Sequence, residues 1–238
     1  MKSLKNRTYK KKICSKDAFV RWNEDMTRIY DTEKFYNDSN FIIKHFETCR
    51  KKAIIKCLDH KKNEKILDIG CGPGEILLEL RAGKSTGIDL SMSMVRRARE
   101  RLRSKANILH MDAEHMAFAN GSFDKIVCTE TLEHVLNPYN VIKEISRILK
   151  PQGILVLTIP NEGLINAFKK SIYYLRIDGL FNKKDGYSLR QKNDWHLWEY
   201  SKADIRNMFA NEYELLAVSA IPFVFMPFRY IYKLRKKC

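Results

Sequence analysis

The chain has 238 residues, enough for one sizeable α/β domain and too few for two separate cores. Hydrophobic residues make up 45%, which excludes a disordered chain, and no run approaches the roughly 20 apolar residues that span a bilayer. Lys and Arg outnumber Asp and Glu by 44 to 28, a net +16, which suggests an anionic partner (RNA, an acidic membrane surface or a charged small substrate) or a generally basic host proteome.

Residues 1–16 are basic with no apolar stretch behind them, so they read as a mobile tail and not as a secretory signal. Residues 17–238 read as a single domain. Six cysteines (14, 49, 57, 71, 128 and 238) lack any C-x-x-C pair, which argues against a zinc or disulfide framework and suits a reducing cytoplasm. Phe41, Ile42, His45, Phe46, Cys49, Ala53 and Cys57 recur at helical spacing. From there strand and helix alternate. Strands are expected at 65–69, 85–89, 107–111, 124–129 and 153–159, with helices at 75–81, 92–103 and 138–148. That alternation predicts a three-layer, Rossmann-like α/β fold, a largely parallel sheet with helices on both faces. Ligands then bind at the carboxyl ends of the strands.

The first strand runs into KILDIGCGPGE, residues 65–75. Gly70, Gly72 and Gly74 let the backbone turn and approach a ligand without a Cβ in the way. A dinucleotide loop is G-x-G-x-x-G, closing on a diphosphate. Here Glu75 stands where the third glycine belongs, its carboxylate would repel a diphosphate, and Pro73 lacks an N–H donor. The loop suits a cofactor with little or no phosphate. Asp89 follows Gly70 by 19 residues at the end of the second strand, the position of a carboxylate that bonds ribose hydroxyls.

With these residues the chain resembles the class I S-adenosylmethionine-dependent methyltransferases, in particular those similar to ubiquinone- and menaquinone-biosynthesis enzymes. ILDIGCGPGE resembles their first motif, Gly87-Ile88-Asp89-Leu90-Ser91 the second and Met111-Asp112-Ala113-Glu114 the third. Ser122–Val127 and Glu130–Val135 resemble the fourth strand and its loop, and Leu149–Leu155 the turn into the fifth. Gln152 departs from the pattern, since many relatives carry a second glycine there. The likeness covers roughly residues 41–220. It implies S-adenosylmethionine as cofactor, held by Asp68, Gly70, Cys71, Gly72, Gly74, Asp89, Leu90, Met94, Asp112, Ala113 and Glu130, with Asp112 facing the adenine amino group.

Glu130-Thr131-Leu132-Glu133-His134 is the candidate apparatus for the acceptor. Its E-x-x-E-H spacing is similar to two metal-using branches, ubiquinone-pathway O-methyltransferases and small-RNA 2′-O-methyltransferases. That likeness implies a divalent cation on Glu130, Glu133 and His134; other relatives carry the string with a structural or substrate-orienting role. The metal assignment stays open, and His134 is taken as the catalytic acid–base or orienting group. His196, inside Asp194–Tyr200, either closes the pocket, completes a metal site or is a satisfied core residue. Tyr30 and Arg50 lie in an N-terminal lid region that relatives use near the cofactor's carboxylate.

Later segments are less patterned. A helix is expected over Leu164–Ile177, a helix capped by Ser201, and a strand over Glu214–Ala220. Residues 160–200 read as a pocket-shaping insertion. Phe168–Ile177 and the aromatic Ile221–Tyr232, followed by Lys233–Lys237, fit either an anchor on anionic lipid or packing on the domain. Arg96, Arg97, Arg99, Arg101, Arg103 and Lys105 read as a solvated face, since a nucleic-acid patch would interleave aromatics.

The expected function is methyl transfer from S-adenosylmethionine to a small or lipid-like acceptor, more readily at oxygen, in the cytoplasm and with peripheral contact to an anionic membrane as an option. An RNA 2′-O-type methyltransferase using a divalent metal is the alternative, with RNA the less favoured partner. A non-catalytic S-adenosylmethionine-binding partner subunit is the second alternative.

Overall fold

The computed structural model describes residues 5–6, 15–31, 41–80, 84–175, 195–223 and 226–238. In chain order the elements are β1 (Lys5–Asn6), α1 (Lys16–Ile29), α2 (Phe41–Leu58), β2 (Lys65–Ile69), α3 (Glu75–Glu79), β3 (Lys84–Asp89), α4 (Met92–Leu102) and β4 (Asn107–His110). They continue with β5 (Phe123–Thr129), α5 (Pro138–Ile148), β6 (Leu149–Pro160), α6 (Glu162–Tyr174), β7 (Trp198–Glu199), α7 (Lys202–Phe209), β8 (Tyr213–Phe223) and β9 (Met226–Lys236). Seven of the strands form one sheet in the order β4-β3-β2-β5-β6-β9-β8. Neighbours from β4 to β6 are parallel, whereas β9 runs antiparallel between β6 and β8.

The strands read as nearly continuous apolar runs because both sheet faces are covered. Alternate residues serve opposite layers. Leu67, Ile69, Ile126, Cys128, Leu155 and Leu157 pack against Val141, Ile142 and Ile145 of α5 and Ile205 and Phe209 of α7. Ile66, Val127, Val156 and Ile231 face the other way, onto Ile54 and Leu58 of α2. Under α3 and α4 a third cluster joins Cys71, Leu77, Val95, Ala98, Leu102 and Ile108. Each such side chain contributes about 1.5–3 kcal/mol on burial. The layers and parallel sheet are those the alternation predicted.

Helix starts follow local chemistry. The Ser91 side chain accepts the Met94 N–H at the head of α4, and Asn137 accepts from Tyr139 and Asn140 with Pro138 in the first turn of α5. Ser201 and Asp204 form a reciprocal capping box on α7.

Several expectations change. The helix expected over 75–81 is the single turn α3, because Leu80 leaves helical geometry. Of the proposed tail, Lys5–Asn6 pair antiparallel with Trp198–Glu199 and Lys16 opens α1; residues 1–4 and 7–14 lie outside the described residues. Helix α1 has no counterpart in the sequence reading. The described part of the C-terminal aromatic stretch lies in the sheet, as the end of β8 and the start of β9. Ile221 is buried on β8, and β9 buries Ile231, Tyr232 and Leu234 while pairing with β6 through seven registered partners. On α6, Tyr174 is 87% exposed and Leu175 already leaves the helix, while 176–177 of the expected helix lie outside the described residues with the rest of 176–194. No helix among the described residues is long and apolar enough to cross a membrane.

Candidate active site

Chain order reverses between β2 and β5, and at such a switch point the loops diverge to leave a crevice above the strands' carboxyl ends. Asp68, Asp89 and Glu130 stand at or just beyond the ends of β2, β3 and β5. The β2–α3 loop carries Gly70, Gly72 and Gly74, all at positive φ. At Gly70 an added Cβ would meet the Thr131 hydroxyl at 2.4 Å, whereas at Gly72 it would meet nothing within 4 Å. The backbone at Gly72 therefore faces open space, a cradle that a side chain would fill.

Asp89 closes this half of the crevice. Its carboxylate accepts the Gly72 N–H at 2.8 Å on one oxygen and the Ser91 N–H at 2.8 Å on the other. Burial raises its pKa against the pull of those two bonds. Cys71 is buried, donates its N–H to the Ile88 carbonyl, and its thiol is pushed well up by burial. Leu90 accepts from the His110 ring through its carbonyl at 2.9 Å, and Met94 is buried on α4. Ala113 packs half-buried against the core. Asp112 accepts the Glu114 N–H and pairs with Lys16 from α1, a partner absent from the sequence reading. Asp68 is buried with one oxygen unpartnered, and burial followed by the charge of Asp89 lifts it to about 8. Glu75 points away, pairing with Lys51 at 3.1 Å and Arg101 at 3.2 Å. Its charge thus weighs less against a phosphate than the sequence suggested.

The other half of the crevice is assembled from distant segments. The Glu133 carbonyl accepts N–H groups from Leu197 and Trp198, and Trp198 Nε1 donates to the Val135 carbonyl at 2.8 Å. These bonds press residues 195–198 onto the β5–α5 loop. His134 and His196 meet edge to face with ring centroids 4.8 Å apart, and Trp195 leans on His134 at 4.3 Å while stacking on Tyr30 at 5.9 Å. His134 Nδ1 donates to the Trp195 carbonyl at 3.2 Å, and His196 Nδ1 to Glu162 at 2.5 Å. In a neutral ring each bond leaves Nε2 as the lone-pair nitrogen. Desolvation, then the neighbouring His196, pushes His134 down to about 3, so the ring is neutral.

Glu133 has 0% exposure, and both of its carboxylate oxygens lack a hydrogen-bond partner. Burial and the nearby Glu130 push its pKa well up. The Trp195 Nε1–H, on the ring that leans on His134, is also buried and without a hydrogen-bond partner. Glu130 is in the opposite condition. At φ +50° it adopts the left-handed region, accepts the Thr158 hydroxyl at 2.8 Å and pairs with Arg229 Nε at 2.8 Å. Burial raises its pKa, but Arg229 and Arg50 outweigh that and hold it below the ordinary range. Arg50 also pairs with Glu47 within α2.

A metal would find donors here. Ligand atoms of Glu133, His134 and His196 all lie within 4.8 Å of one another. An unpartnered buried carboxylate beside two imidazoles of fixed tautomer fits a divalent ion. The set keeps Glu133 and His134 of the E-x-x-E-H string and adds His196, one of the roles open to it from the sequence, while Glu130 is engaged by Arg229 and Thr158. Arg229, Glu162 and Lys16 escaped the sequence reading, and no local signal marked them. On α4 the basic face is largely structural: Arg97 pairs with Asp31, Arg101 with Glu75, and Arg99 donates to the Ile108 carbonyl.

A family model described as a methyltransferase domain matches residues 67–157. A demethylmenaquinone methyltransferase of Staphylococcus aureus is 28% identical over 203 residues, covering 78% of this chain and 83% of its own length. The magnesium protoporphyrin IX methyltransferase of Synechocystis, solved with bound SAH, shares 15% identity at a TM-score of 0.64, covering 92% of this chain and all of that one. A SAM-dependent methyltransferase from Methanosarcina mazei shares 24% at 0.58, covering 77% and 97%. The two structural likenesses show the fold.

Proposed function

We propose, from the premise that this chain is a class I S-adenosylmethionine-dependent methyltransferase, that its acceptor is a small or lipid-like molecule methylated at a hydroxyl oxygen. The observation that carries this reading is the pair of unpartnered buried groups, the Glu133 carboxyl and the Trp195 N–H, beside a neutral His134. Leaving such groups unsatisfied costs about 1–3 kcal/mol each. A hydroxylated acceptor relieves both. The aromatic wall of Tyr30 and Trp195 suits an apolar body attached to that hydroxyl. The Staphylococcus aureus relative, named for demethylmenaquinone, supports a small, lipid-like acceptor and does not bear on the acceptor atom.

The residues present fit the cofactor. Gly72 leaves room for it, Asp89 is oriented by two backbone N–H groups with lone pairs left for ribose hydroxyls, and Asp112, beyond the end of β4, would receive the adenine edge. When bound, S-adenosylmethionine supplies a methyl group on a sulfonium, already an activated leaving group. The protein's share is alignment, worth up to about 7–11 kcal/mol, plus handling of the acceptor's proton. Glu130 is held rigid by Arg229 and Thr158 at the methionine end of the crevice. His134 holds the acceptor oxygen or takes its proton at Nε2, the Trp195 carbonyl keeping the ring in that tautomer.

Incubation with radiolabelled S-adenosylmethionine and an extract split into lipid, small-molecule, RNA and protein fractions tests the assignment. Label should enter the lipid or small-molecule fraction as an ether stable to base. Label in RNA would replace this reading with the RNA 2′-O alternative. Label at carbon or nitrogen would refute the oxygen assignment.

A further inference from the structure

We infer that a recess at the amino ends of β2, β3 and β4, at the opposite end of the sheet from the crevice, binds a phosphate group, free or carried by a small ligand, with Lys65, Lys84 and Lys105 as its charge partners. The inference does not rest on the methyltransferase reading. It takes up the net charge of +16, for which the crevice gives no use.

Sheet register builds the site. Lys65 of β2 and Lys84 of β3 are register partners, as are Thr86 of β3 and Asn107 of β4. Register partners on parallel strands, and residues two apart along one strand, project from the same face. Lys65, Lys84, Thr86 and Asn107 therefore share one face. With Lys105 of the α4–β4 turn and Phe123 of β5 they line a recess of about 340 Å³. Small-molecule sites run from roughly 300 to 1,000 Å³, so this one suits a compact ligand. Along β3, Lys84 stands five residues before Asp89, roughly 16 Å at about 3.3 Å per residue. A ligand here is neither the cofactor nor the acceptor.

The charge in the recess is unbalanced. Like charges side by side on neighbouring strands repel, and Lys65 and Lys84 are such a pair. Among the described residues no carboxylate forms an ion pair with the ammonium of Lys65, Lys84 or Lys105. Asp124 feels the charge of Lys65, but its oxygens are engaged by Lys150 Nζ at 2.6 Å and by the Lys65 main-chain N–H at 2.8 Å. The side chains of Thr86 and Asn107 also have no hydrogen-bond partner among the described residues. A phosphate would relieve the lysine repulsion and accept from the Thr86 hydroxyl and the Asn107 amide. Lysine ammonium is a compact point charge that phosphate sites use, and a concave wall of one sign concentrates anions. Concavity also favours a terminal phosphate over the bridging phosphates of RNA or a flat lipid surface.

The test is calorimetric titration of the full chain at low ionic strength with inorganic phosphate and with glycerol 3-phosphate, against chloride at matched ionic strength. One phosphate or phosphate ester should bind per chain. Lys84→Gln and Lys105→Gln should each weaken binding about 10-fold, the double variant more, and Lys202→Gln on α7 should leave it unchanged. Melting curves verify folding, and phosphate should raise the melting temperature of the parent chain but not of the double variant. No binding of either probe, or binding that survives the double variant, would overturn the inference. RNA or anionic vesicles bound through these lysines in place of the small probes would overturn it in favour of a macromolecular surface. S-adenosylmethionine affinity, read on the same samples, should be the same in every variant, and a parallel loss would show that the lysines serve the crevice instead.

Discussion

The two halves of the crevice are built by opposite means. The half proposed for the cofactor comes from one contiguous stretch, 65–114, and its central carboxylate is already satisfied: Asp89 accepts two backbone N–H groups from its own and the preceding loop. The half proposed for the acceptor gathers Glu130, Glu133 and His134 with Glu162, residues 195–198 and Arg229, and leaves the Glu133 carboxyl and the Trp195 Nε1–H without hydrogen-bond partners. A half that holds an invariant ligand can be completed in advance. A half that must receive a variable acceptor stores unsatisfied groups and loses stability for it.

If the cofactor half depends on Asp89 as described, Asp89→Ala should weaken S-adenosylmethionine binding on the order of 100-fold in calorimetry, since bonds to a charged group are worth about 1.5–3 kcal/mol each. An unchanged affinity would move the cofactor elsewhere. Asp68 sharpens the contrast within that half. Its folded pKa of about 8 lies above the ordinary value of 3.8, so between those limits the native state holds a proton that the unfolded state has lost. Stability of the ligand-free chain should therefore fall as pH rises through that window, by about 1.4 kcal/mol per unit from this group. In urea melts at pH 5 and 7 Asp68→Asn should show a correspondingly shallower decline, and parallel declines would contradict the assignment.

The acceptor half makes the converse prediction. Glu133→Leu should stabilise the ligand-free chain by about 1–3 kcal/mol, because it removes a buried, unpartnered carboxyl, while eliminating methyl transfer. Thermal melts would show this as a rise of about 2–4 °C per kcal/mol. A destabilised variant would mean the carboxyl has a structural role. The smallest effect lies away from both halves. Gln152 has φ +62°, where many relatives carry glycine, so Gln152→Gly should gain up to about 1 kcal/mol in the same melts without changing cofactor affinity.

The same contrast explains what the sequence made legible. Strands β2 to β6, the Ser201 cap and the glycine loop are encoded over short spans, so apolar runs, turn residues and spacing reveal them. Arg229 meets Glu130 across 99 residues and His134 meets Trp195 across 61, and no local pattern carries such pairings. Strand β9 has no counterpart in the sequence reading, because Ile231 and Tyr232, adjacent in sequence, are both buried and blur the alternation that marks a strand. Helix α1 did leave a signal, Ser15 accepting from Ala18 with Asp17 in the first turn, but a basic stretch around it obscured the cap.

The central claim is that the carboxyl ends of β2 to β5 hold the cofactor with its methyl end toward Glu130–His134. A crystal structure with S-adenosylhomocysteine tests it most directly. The ribose hydroxyls should lie on Asp89, the adenine edge at Asp112 with Lys16 displaced or shared, and the sulfur facing the Glu130–His134 loop. A ligand bound elsewhere, or one whose sulfur faces away from that loop, would contradict the account.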